Sequence, residues 1–245
     1  MEFDVLTLSI LILVVPASFV LSSAAGLGGS LILVPALVMA LGAKEGVALA
    51  ALLLAANNIA KVAVYRKTVP IAQAALIALA VMVGAALGAK LMLLAPEQWI
   101  MVGVIIAFLA TFAGDLLLKG VHVKGHVGKT WAGLLALMSG ATSGFSGTSG
   151  PLKGVALRSL QLDRQYLVGA ASLVSLVGDM TKATMYTQHG LLGQSQLILA
   201  AVLLPVMALC TLAGRKINQE AGEKGYAILF WMVMAGYTAR LVTAL

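Results

Sequence analysis

Apolar residues fill this chain in long blocks, broken at intervals by glycines, prolines and small clusters of charge. Several blocks reach about 20 residues, the length at which an α-helix crosses a bilayer. The pattern predicts five segments in the first half, at 5–25, 30–42, 44–65, 70–94 and 97–118. It predicts five more in the second, at 130–146, 151–160, 164–188, 191–213 and 225–244. Lys119 to Lys129 is the one long polar connection between them. The expected division is a first membrane repeat over 1–118, a cytoplasmic linker over 119–129 and a second membrane repeat over 130–245.

The halves are related. At an offset of 121 positions, without a gap, Gly26 falls on Gly147, Gly29 on Gly150, Lys61 on Lys182 and Tyr65 on Tyr186. Apolar identities are cheap in so hydrophobic a chain, but matched Gly, Lys and Tyr at one offset indicate an internal duplication. The register moves to 126 where Gly88-Ala-Lys90-Leu91 matches Gly214-Arg-Lys216-Ile217.

Composition changes the picture from helical to membrane-embedded. Of 245 residues, 61% are hydrophobic and 10% charged, with mean hydropathy +1.02, far outside the mix of a soluble domain. The first apolar run follows Glu2 and Asp4 with no basic region before it, so it reads as a retained helix and not a removed signal. Cys210 is the single cysteine, which excludes an intrachain disulfide and a multi-cysteine metal site. The net charge of +7 belongs to loops beside helices, as membrane orientation requires, and does not point to nucleic acid.

Basic residues mark four connections as cytoplasmic: Arg66-Lys67, the run Lys119, Lys124 and Lys129, Arg158 with Arg164, and Arg215-Lys216. The turns at Lys44-Glu45, Lys90 to Glu97 and Gln188-His189-Gly190 carry no basic excess. If all ten segments cross, the basic connections share one side, both termini lie outside and the second half is inverted. If the two short segments are re-entrant, eight crossings remain, the halves are parallel, and Arg215-Lys216 opposes Arg66-Lys67. The charge pattern favours inversion. The expected fold is an all-α polytopic membrane protein of two inverted repeats with glycine-broken helices, about 8–10 membrane segments in all.

The second segment of each half is entered through glycines: Gly26, Gly28 and Gly29 in one, Gly147 and Gly150 beside Pro151 in the other. Such breaks free backbone groups, which hydrocarbon tolerates only where protein or a water-filled cavity receives them. Freed N–H groups and helix N-termini can hold an anion. Ser143, Ser146, Thr148 and Ser149 surround Gly144, Gly147 and Gly150, and Lys153 follows within a turn. The plainer alternative is that these small residues let helices pack closely.

Lys61 and Lys182 occupy matching positions, and Asn58 and Asp179 lie three residues before them on the same helical face. A charge inside the membrane costs at least about 2.5–3.5 kcal/mol, so each needs a partner, a cavity or a route to the interface. Lys61 stands five residues from Arg66, roughly 7 Å along a helix, which is near enough to snorkel; Lys182 is placed likewise. Asn57, Asn58 and Asp179 are deeper. Asp179 either pairs structurally with Lys182 or carries a proton. Arg240 reads as an interfacial anchor, and His122 and His126 as solvated loop residues, not metal ligands. No acid–base pair, nucleophilic triad or phosphate loop is present in the sequence, so no enzyme chemistry and no cofactor is expected.

The motifs G-L-G-G-S-L-I-L-V-P and S-G-F-S-G-T-S-G-P, with the spacing to A-L-A-A-L-L-L-A-A-N-N, resemble those of the sulfite and organosulfonate exporter family TauE/SafE over essentially the whole chain. The resemblance implies a bacterial or archaeal inner-membrane protein of about eight helices that moves sulfite, sulfoacetate or sulfonates. It also implies that Gly26 to Gly29 and Gly144 to Pro151 line the pathway. The chain departs from the usual triple glycine, since Ser30 replaces the third glycine and Ser and Thr interrupt the second motif.

The expectation is a multi-pass transporter of small anions in the cytoplasmic membrane, most simply an exporter. Its expected substrate-binding residues are Gly26, Gly28, Gly29, Asn57, Asn58, Ser146, Gly147, Thr148, Ser149, Gly150, Lys153, Asp179 and Lys182. Its partners are the small anion and membrane lipids, with no nucleic acid, no metal, and the oligomeric state open. A membrane enzyme on lipid phosphates and a non-transporting subunit are the alternatives.

Overall fold

Nine α-helices and one short 3-10 turn make up the described residues of the computed structural model, which are 5–25, 29–117, 128–149 and 152–220. The helices are α1 (Val5–Ala25), α2 (Gly29–Leu41), α3 (Ala43–Val64), α4 (Ile71–Leu94), α5 (Glu97–Leu117), α6 (Lys129–Ser146), α7 (Leu152–Arg158), α8 (Arg164–Gln188) and α9 (Gln194–Glu220). Gly26, Gly28, Gly150, His122, His126, Arg240 and the expected segment at 225–244 lie outside the described residues.

The helix bounds follow the apolar blocks closely, with one correction. Arg215-Lys216 do not form a connection: α9 continues through them to Glu220. The physical reason is local, because Arg, Lys, Gln and Glu are good helix formers and charge alone does not end a helix.

Among the described residues, several helices turn apolar side chains outward while a set of polar and charged side chains is buried within. Helix α4 buries Ala74, Ile77, Ala78, Val81, Gly84, Ala85, Gly88 and Ala89 on one stripe, and exposes Leu76, Leu79, Val83, Leu87 and Leu91 on the other. Helices α5 and α9 likewise expose Ile105, Ile106, Leu109, Val202 and Leu209. So wide an exposed apolar surface suits lipid, not water. Ala43–Val64, Ile71–Leu94 and Gln194–Gly214 are long and apolar enough to cross a membrane, and Gly29–Leu41 and Glu97–Ala110 are shorter apolar helices.

Small residues set the spacing between helices. A Cβ on Gly84 would meet the Leu137 carbonyl oxygen at 2.0 Å, and one on Gly88 that of Ala141 at 2.0 Å. From the other side, Gly140 and Gly144 approach the Val81 and Ala85 carbonyls as closely, at 2.3 Å each. Two small-xxx-small stripes thus interlock α4 with α6, bringing backbone against backbone. Between α2 and α3 the chain turns at Gly42, whose φ of 91° is left-handed, and Gly46 lies directly on the Leu37–Val38 backbone.

Packing is reciprocal about the centre. Helix α3 lies along α8; α4 packs on α6 and α8, and α9 packs on α1 and α3. The innermost helix is α3, buried on nearly every side apart from Ile59 and Ala63.

Candidate functional site

Charged and hydroxyl side chains converge on a small cavity where α3 meets α8. From the first half Ser22, Gly29, Ser30, Leu54, Asn58 and Lys61 line it; from the second, Ser143, Gly147, Ser149, Lys153, Ser175 and Asp179. Its volume is about 20 Å³, enough for a water-sized group.

Helical register delivers these groups. On α3, Leu54, Asn58 and Lys61 follow at steps of four and three, and on α8 Ser175 and Asp179 are four apart, so each set shares a face. Helix α6 ends at Ser146, and Gly147 takes a left-handed φ of 77° with its N–H bonded to the Ser143 carbonyl at 2.9 Å. A side chain there would also strike Val34, with a Cβ 2.9 Å from Val34 Cγ2. Glycine lets the chain leave α6 beside α2 and lay Thr148 and Ser149 inside the protein, where both are buried.

Both matched lysines turn inward. Lys61 is 1% exposed and Lys182 is 0% exposed, so neither snorkels to a surface. Lys61 Nζ donates to Ser22 Oγ at 3.1 Å, and Lys182 Nζ donates to Ser143 Oγ at 2.8 Å. Lys182 also pairs with Asp179 Oδ1 at 2.7 Å. The other carboxylate oxygen, Oδ2, accepts from Asn58 Nδ2 at 2.8 Å. Asp179 is therefore held from both sides and forms the structural pair with Lys182. Lys153 Nζ donates to Ser175 Oγ at 2.9 Å.

Around this centre Asn57 Oδ1 accepts from Thr211 Oγ1 at 3.4 Å, and Ser23 Oγ donates to Thr211 Oγ1 at 3.3 Å. Asn57 Nδ2 and Asn58 Oδ1 are buried without a partner among the described residues. Ser30 Oγ reaches Thr148 Oγ1 at 3.4 Å, and Ser146 Oγ donates to the Thr142 carbonyl at 2.9 Å.

Of the sequence-predicted residues, Gly29, Asn58, Gly147, Ser149, Lys153 and Asp179 line the cavity. Asn57, Ser146, Thr148 and Lys182 are buried beside it without lining it. Gly26, Gly28 and Gly150 are outside the described residues. The cavity also takes in Ser22, Ser30, Leu54, Lys61, Ser143 and Ser175, which were not among the predicted binding residues. The offset of 121 carried a signal for Lys61, which matches Lys182, and for Ser22 and Ser143, which match each other. Ser175 follows no such match.

Chemically the site offers lysine amines and hydroxyl donors around a small space, with one carboxylate among the described residues, already paired with Lys182. Such donors complement anions in kind. Among the described residues no group of His, Cys, Asp and Glu could hold a metal ion. No curated protein and no solved structure matches the chain. The family model described as sulfite exporter TauE/SafE matches residues 10–241. Because that match runs through both halves and takes in every residue lining the cavity, the chain is a member of the sulfite exporter TauE/SafE family.

Proposed function

We propose that this protein carries small anions, sulfite or organosulfonates, across the cytoplasmic membrane, most simply outward, with the central cavity as its binding site. The family is one of membrane transporters of sulfur anions. The observation that carries the assignment to this site is Lys61, Lys153 and Asp179 lining one cavity among described helices whose outward faces are largely apolar. Ser149 and Ser30 add hydroxyl donors, and Gly29 and Gly147 let the backbone come close.

Two inverted repeats, each with a glycine-interrupted pair of segments meeting at the cavity, are the architecture we infer. Matched hydrogen bonds support the duplication. Lys61 to Ser22 is repeated by Lys182 to Ser143, and Tyr65 Oη to the Ser23 carbonyl by Tyr186 Oη to the Gly144 carbonyl, all at the offset of 121. Transporters built this way place the substrate where the interrupted helices meet. With a negative-inside potential, export of a monoanion gains about 2.3 kcal/mol per 100 mV, so efflux proceeds without a coupling ion.

The test is flux in proteoliposomes with sulfite, sulfoacetate, taurine and chloride under an imposed potential, for wild type and Lys153→Ala. Saturable flux of the sulfur anions that fails in the variant is expected. Folded protein that moves none of them under either polarity or a proton gradient removes this reading.

A further inference from the structure

We propose that the cavity is charge-matched to a compact, doubly negative oxyanion, and that Lys61 is the residue that sets this preference, acting with Lys153. The proposal rests on the anion-transport reading above and goes beyond it by fixing the charge of the occupant.

Matched positions differ in their charge balance. Lys61 and Lys182 are equivalents at the offset of 121, and each donates to an equivalent serine. Three residues before Lys182 stands Asp179, which neutralises it at 2.7 Å. Three residues before Lys61 stands Asn58, a carboxamide whose N–H is already committed to Asp179. One lysine therefore carries its own counter-charge and the other does not.

Lys153 breaks the symmetry a second time. Its equivalent in the first half is Ile32, so the second half supplies an additional cation with no counterpart. Its recorded partner, like that of Lys61, is a serine hydroxyl. Among the described residues Asp179 is the only carboxylate at the cavity, and Lys182 has taken it. An anion entering the cavity favours the protonated form of each lysine beside it. With an anion present, three ammonium groups against one carboxylate leave two positive charges for the occupant to balance.

Electroneutrality then discriminates. A buried charge is tolerated when paired and strongly unfavourable when not. A monoanion leaves one of the two ammonium groups without a counter-charge; a zwitterion leaves both. A dianion balances Lys61 and Lys153 together. Fully deprotonated sulfite carries that charge, whereas alkyl sulfonates carry a single one.

The experiment measures half-saturation in proteoliposomes, at one pH, for sulfate, a permanent dianion, against methanesulfonate, a monoanion of similar size. Sulfate is expected to half-saturate at a concentration at least about tenfold below methanesulfonate. In Lys61→Gln the ratio of sulfate to methanesulfonate should narrow toward one, with folding checked by size-exclusion chromatography. Equal or better transport of methanesulfonate by the wild type overturns the charge match, whatever the variants do. An unchanged ratio in folded Lys61→Gln overturns the role of Lys61. Absence of flux for every anion overturns the transport reading itself, an outcome distinct from flux without charge preference.

Discussion

Asn58 Nδ2 donates to Asp179 Oδ2 at 2.8 Å, joining two residues that occupy equivalent positions 121 apart in the sequence. On the duplication we propose, this contact falls where the two halves meet. There one half presents a carboxamide and the other a carboxylate. Lys182 lies against that carboxylate and is 0% exposed. The contact between α3 and α8 is thus a polar joint inside an apolar molecule, and it decides which of the buried lysines is neutralised.

Asp179→Asn should be more damaging than its isosteric shape suggests. It leaves Lys182 buried with Ser143 as its remaining partner, and breaking a buried pair from one side costs about 3–5 kcal/mol. Removing both charges in Asp179→Asn/Lys182→Met should recover most of that loss. Unfolding in detergent, followed for the two single variants and the double one, measures the coupling. A double variant no more stable than Asp179→Asn speaks against the pair.

Tyr65 and Tyr186 offer a test of equivalence between the halves. Each hydroxyl donates to a backbone carbonyl 42 residues earlier, of Ser23 and of Gly144. Tyr65→Phe and Tyr186→Phe should each cost about 1–2 kcal/mol, since a buried acceptor loses its donor. Comparable shifts in unfolding midpoint are expected. A loss confined to one of them counts against a shared architecture.

The interlock of α4 and α6 predicts a contrast between glycines. In Gly84→Ala the new methyl carbon would sit 2.0 Å from the Leu137 carbonyl oxygen, so the helices must separate. Overpacking of this kind costs about 1–3 kcal/mol, and more where backbone is the obstacle. Gly133 on the same α6 has nothing within 4 Å of its would-be Cβ, so Gly133→Ala should be neutral or gain up to about 1 kcal/mol. Thermal unfolding in one detergent compares them; equal effects at the two sites would remove the interlock as a determinant of stability.

Much of the architecture was legible because apolar block length and the punctuating glycines and prolines are local signals. The helices from α1 to α8 begin and end within two residues of the blocks that predict them. Charge misled at Arg215-Lys216, because a basic pair beside lipid marks a membrane boundary as readily inside a helix as in a loop. The inward course of Lys61 was not legible: at roughly 7 Å from Arg66 along the helix axis, the side chain reaches either an interface or a cavity. What decides is whether Ser22 of α1 lies against that face of α3, which is a tertiary fact. The register of Gly84 and Gly88 on Gly140 and Gly144 is hidden for the same reason, since spacing within a helix says nothing about which helix it meets.

The most direct measurement is an anomalous-difference map from crystals grown with selenite, a heavier pyramidal oxyanion, at a concentration that competes with sulfite flux. The account predicts one strong peak inside the central cavity, within hydrogen-bonding reach of Lys61 Nζ and Lys153 Nζ and absent in Lys153→Ala. Selenite that blocks sulfite flux in solution yet gives peaks only elsewhere on the molecule would contradict it.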